Sequence, residues 1–149
     1  MLRWALAIRP GSTWHESRVE RQGDSGFRLQ AWNRLPKAKP TAKVAAQDVG
    51  LKSEAEVLQV QLPGPAFRQP AELEVTWTAD KVSLKVSKPA RVRLYYRVLR
   101  PAWPEKDRPT LQRRRGDRVD TLRDDVVWEK DYVEWQAAPG EYVLQSGGK

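Results

Sequence analysis

Residues 72–86 read ELEVTWTADKVSLKV, and the spacing of their apolar residues decides the fold class. Leu73, Val75 and Trp77 alternate with Glu72, Glu74, Thr76 and Thr78, the two-residue repeat of a strand buried on one face. Ala79-Asp80-Lys81 then turns the chain. Val82, Leu84 and Val86 resume the repeat against Ser83, Lys85 and Ser87. Two alternating runs about a short polar turn predict an antiparallel hairpin.

The same period continues in both directions. Leu58, Val60 and Leu62 alternate upstream. Val92, Leu94, Tyr96 and Val98 share one face downstream, with Arg91, Arg93, Tyr95 and Arg97 on the other. VVW (126–128), YVEWQ (132–136) and EYVLQ (141–145) predict three closing strands. Near the start, Leu2, Trp4, Leu6 and Ile8 alternate before Pro10-Gly11-Ser12. Trp14 to Arg21 and Phe27 to Asn33 then flank a glycine-containing loop, a further hairpin. RLPKAKPTAK (34–43) reads as an extended, solvated linker, and RPAWPEKDRP (100–109), with three prolines, as a loop. Residues 44–57 are the one stretch with helical character, a short turn about Ser53-Glu54-Ala55-Glu56, and Gly50 argues against anything longer.

Nine or ten short strands with no crossover helix predict an all-β chain: a β-sandwich of jelly-roll or immunoglobulin-like kind, with an extended N-terminal arm or hairpin. The closing APGEYVL (138–144) resembles the final strand of many immunoglobulin-like and related bacterial sandwich modules. That resemblance implies the fold class and no function. The expected division is an N-terminal strand, hairpin and linker over 1–43 and a sandwich over 44–149.

At 149 residues the chain is long enough for a core that needs no staple. It has no cysteine and one histidine, His15, which excludes disulfides, thiolate chemistry and cysteine-based zinc sites and leaves no metal or cofactor to expect. MLRWALAIRPGS is too short an apolar run to span a membrane and lacks a small-residue cleavage pattern. The expectation is a soluble chain in the cytoplasm or a virion, without a membrane partner. One asparagine, one methionine and 17 arginines against 10 lysines fit a thermostable protein or a GC-rich genome. The net charge of +8 is unevenly spread: +6 over 1–43, −1 over 44–90, +7 over 91–123 and −4 over 124–149. Such blocks imply a polyanionic partner or complementary contacts between copies.

Four constellations carry the functional expectations. In LQRRRGDRVD (111–120), Arg115-Gly116-Asp117 spells the integrin-recognised tripeptide, but glycine between two pairable runs reads first as a hairpin tip. Arg113, Arg114, Arg115 and Arg118 there are candidates for phosphate contact. The stripe Arg91, Arg93, Tyr95 and Arg97 places three guanidiniums and a ring about 6–7 Å apart along a strand, near a phosphate repeat. Its alternative is pairing with carboxylates of the 124–141 region on a neighbouring strand. Of seven tryptophans, Trp4, Trp77 and Trp135 fall on apolar faces, whereas Trp14, Trp32 and Trp103 lie in polar or proline-rich surroundings and are candidates for a sugar platform. Leu2, Trp4, Leu6 and Ile8 form a strand that can exchange between copies.

Catalytic signatures are missing: no G-x-S-x-G, P-loop or G-x-G-x-x-G occurs. His15, Glu16 and Ser17 are adjacent on an extended run and point to opposite faces. Asp124, Asp125, Glu129, Asp131 and Glu134 are acids of the kind that cluster near turns. The reading is a non-catalytic assembly protein, a virion component such as a capsid decoration or tail protein. It would form homo-oligomers through the N-terminal strand and dock other structural proteins with acidic surfaces. A carbohydrate-binding accessory module and a basic nucleic-acid binder are the alternatives.

Overall fold

The computed structural model describes residues 17–32, 41–51, 55–62, 69–101, 103 and 109–146. The expected exchange strand with Leu2, Trp4, Leu6 and Ile8, together with Trp14 and linker residues 34–40, lies outside them. The described chain is all-β. In order it forms β1 (Ser17–Arg21), β2 (Gly26–Ala31), β3 (Thr41–Ala45), β4 (Glu56–Gln61), β5 (Ala71–Trp77) and β6 (Lys81–Val86). There follow β7 (Ala90–Leu94), the single helical turn α1 (Tyr96–Leu99), β8 (Thr110–Arg115), β9 (Arg118–Thr121), β10 (Val127–Trp128), β11 (Val133–Ala137) and β12 (Gly140–Gln145).

These strands make two antiparallel sheets. One has seven strands in the order β1-β2-β5-β6-β12-β8-β9, the other five in the order β10-β11-β7-β4-β3. The hairpin that opened the sequence reading is β5–β6, with Val75 opposite Leu84 and Trp77 opposite Val82. It lies mid-sheet because both its flanks find partners, β2 and β12. The β1–β2 hairpin joins the same sheet, with Leu29 opposite Leu73.

The core is the space between the two inner faces. Val44, Leu58, Leu94 and Val133 form one row across the five-stranded sheet, and Val60, Val92 and Trp135 the next. Phe27, Val75, Leu84 and Tyr142 line up across the seven-stranded sheet. All are buried, and the rings of Trp135 and Tyr142 meet across the layers at 5.5 Å. Fully burying such side chains stabilises by about 1.5–3 kcal/mol each, and a one-residue slip would turn a whole row into water. That is what fixes the register.

Three local expectations change. Residues 41–43, read as linker, and Val44 and Ala45, read as the start of the helical stretch, form an edge strand because β4 offers them a ladder. The register shift between Val44 and Ala45 turns both Val57 and Leu58 inward. The helical character of 44–57 appears as a 3-10 turn at Ala46–Val49, closed by Gly50 at φ 82. The strand expected to run through Val98 ends at Leu94. Tyr96 and Leu99, three apart, are both buried, so the helical spacing wins there. The twelve strands exceed the nine or ten expected by such additions.

Candidate functional site

The outer face of the five-stranded sheet carries the basic stripe. Alternation aims Arg91 and Arg93 outward from β7, and β11 brings Glu134 directly opposite Arg93. Arg91 Nε donates to Glu134 Oε2 at 2.7 Å. Arg93 donates to Glu134 Oε1 through Nε at 2.9 Å and Nη2 at 2.8 Å. Both guanidiniums thus share one carboxylate, whose side chain is 18 % exposed. Burial alone would push the Glu134 carboxyl up, but the hydrogen bonds from Arg91 and Arg93 outweigh it and hold it below the usual carboxylate range. Arg93 also donates to the Tyr95 hydroxyl at 3.4 Å and lies 4.4 Å over the Tyr132 ring. Two of the three arginines of the stripe are thus paired across strands with one carboxylate, which leaves one net positive charge on the trio of Arg91, Arg93 and Glu134. Glu134, held between two cations, is thereby favoured in its charged form.

Arg97 leaves the stripe. Because β7 ends at Leu94, Arg97 sits on α1, where its Nε donates to the Lys130 carbonyl at 2.7 Å and its Nη1 to the Trp103 carbonyl at 3.1 Å. Beside it opens a cleft of about 580 Å3 lined by Ala55, Glu56, Tyr95, Arg97, Val98, Pro101 and Asp131. Sequence reading gave no sign of this cleft, since its walls come from three separated segments.

The tryptophan set is corrected in one member. Trp103 is buried, its ring 6.2 Å from that of Tyr96 and its Nε1 donating to the Ala79 carbonyl at 2.9 Å. A proline-rich loop looks solvent-facing in sequence, yet here the indole pins that loop to the β5–β6 turn. Trp32 is half-buried and Trp14 lies outside the described residues. Trp77 and Trp135 are core.

The outer face of the seven-stranded sheet is a cross-strand row of alternating sign: Glu20, Arg28, Glu74, Lys85, Glu141 and Arg114, ending at Val119. Opposite charges side by side on a sheet favour this register.

The row ends in the β8–β9 hairpin, where the RRRGD stretch lies. Gly116 at φ 61 makes the two-residue turn, and Arg115 stands opposite Arg118. Arg113 is removed from the phosphate-contact set. It shares the inward row with Tyr142, sits 5.8 Å from that ring and donates to the Pro139 carbonyl at 3.0 Å. Arg115 bonds Asp120 at 3.4 Å. Arg114 and Arg118 are exposed, and Val119 is 51 % exposed, more than any other large apolar residue described. The sequence held the signal for this patch, Arg118-Val119-Asp120, but not that β9 ends a sheet.

Among the described residues no group of His, Cys, Asp and Glu could hold a metal ion, and no helix is long and apolar enough to cross a membrane. No family model, curated protein or solved structure matches the chain.

Proposed function

We propose that this chain is a non-catalytic β-sandwich that works by assembly, joining copies of itself or companion structural proteins through its sheet edges. The observation that supports the reading is β9. Among the described residues it pairs with β8 alone, ends the sheet order, and presents Arg118, Val119 and Thr121 to solvent. An open strand edge recruits another strand through main-chain hydrogen bonds. The outer face of the five-stranded sheet, by contrast, holds Arg91 and Arg93 on Glu134 and Lys43 on Glu56, and one of the three candidate sugar-platform tryptophans is buried.

In this reading the Leu2–Ile8 segment supplies a further exchangeable strand. The basic hairpin meets acidic surfaces on companions, and the setting is a multi-copy assembly such as a virion shell or tail. Light scattering on the full chain and on a chain lacking residues 1–12, at moderate and high salt, tests it. A defined oligomer whose mass falls on removal of those residues is expected. A monomer in every condition would refute the self-assembly reading.

A further inference from the structure

Among the described residues no strand pairs with the outer edge of β9, and the geometry of that edge fits one occupant, a second copy of itself. The Leu122 N–H donates to the Leu111 carbonyl at 2.8 Å. Hydrogen-bonded pairs recur every second residue of an antiparallel ladder, so the main-chain groups of Asp120 and Arg118 also face β8. Those of Val119 and Thr121 therefore point away from the sheet.

We propose that two chains pair β9 against β9, antiparallel, about a two-fold axis at Val119, joining their seven-stranded sheets into one. This rests on the assembly reading above and names its contact. A two-fold axis normal to the sheet keeps outer residues outer. It sets Val119 against Val119 as a main-chain hydrogen-bonded pair, Arg118 against the second copy's Asp120, and Asp120 against the second copy's Arg118. The ion pairs fall at non-hydrogen-bonded positions, where side chains approach most closely. Shifting the axis to Asp120 would instead place two carboxylates face to face.

Two features of the single chain favour this occupant. Val119, exposed by half, is β-branched and would gain an apolar mate. Arg118 stands directly opposite Arg115 within its own hairpin, an unfavourable like-charge pair, and has no ion pair among the described residues. The second copy's Asp120 would offset that repulsion. The area is small, so the contact is a modest one that repetition in an assembly would reinforce.

The test is sedimentation equilibrium of the full chain, of Arg118→Asp, of Asp120→Arg and of the double variant. Thiol cross-linking of Val119→Cys, in a chain with no other cysteine, accompanies it. Each single reversal is expected to weaken association roughly tenfold, since two symmetric pairs turn repulsive, and the double variant to recover it. A short bis-maleimide is expected to link the two thiols, whose Cα atoms would lie about 5.5 Å apart. An oligomer indifferent to the reversals, with thiols that do not link, overturns the β9 contact and leaves the assembly reading standing. A chain monomeric throughout overturns both.

Discussion

Glu134 on β11 stands directly opposite Arg93 on β7 and accepts its hydrogen bonds at 2.8 and 2.9 Å, while Arg91, one pleat along, donates to the other carboxylate oxygen at 2.7 Å. One acid thus holds two of the three arginines of the most regular basic stripe in the sequence.

The pH dependence of stability follows from that contact. With its carboxyl held below the usual range in the folded state, Glu134 contributes stability that is complete above the unfolded carboxylate value of about 4.3. The contribution is lost as pH falls through the lower folded value. Denaturant midpoints taken from neutral pH downward should fall below that point. Glu134→Gln should flatten the fall and cost about 1–3 kcal/mol at neutral pH. Parallel acid limbs for the two proteins would count against it.

The stripe should also be a poor ligand for phosphate. Arg91→Glu with Arg93→Glu is expected to change retention on a phosphate-bearing resin less than Arg114→Glu with Arg118→Glu, because only the second pair is exposed and outside any ion pair among the described residues. The reverse order of elution would restore the strand-face reading.

Trp103→Ala should destabilise by about 3–5 kcal/mol, the cost of a buried aromatic truncated in place. Trp103→Phe should recover part of this but not the hydrogen bond to Ala79. Thermal unfolding measures both, and a near-neutral Trp103→Ala would mean that the indole is not packed.

Tyr142 closes the β11–β12 turn. Its hydroxyl accepts from the Ala138 N–H at 2.9 Å and donates to the Ala138 carbonyl at 2.8 Å. Tyr142→Phe should lose about 1–2 kcal/mol while the ring contact with Trp135 persists. Near-ultraviolet circular dichroism separates the two effects: the aromatic signal should stay as the melting point drops.

How far the sequence carries depends on the range of the forces involved. The β5–β6 hairpin was legible because period and turn chemistry are local. The outward aim of Arg91 and Arg93 was legible for the same reason. That Glu134, rather than solvent or phosphate, receives them depends on β11 neighbouring β7, and strand order is not written in any one segment. Tyr96 to Leu99 satisfy both a strand and a helical spacing over four residues, so only packing decides between them. The burial of Trp103 is not legible, because a proline-rich loop carries no periodicity to mark which of its residues turns inward. In sequence Arg118-Val119-Asp120 reads only as part of a charged tip. Its complementarity to itself becomes visible once β9 is known to end a sheet.

The most direct test of the central claim is amide hydrogen exchange at Val119, followed over protein concentration. Edge pairing through β9 predicts a Val119 amide that exchanges fast in dilute solution and becomes protected as the chain associates. The Asp120 amide, already turned toward β8, should be protected throughout. A Val119 amide that exchanges at the same fast rate at every concentration would contradict it.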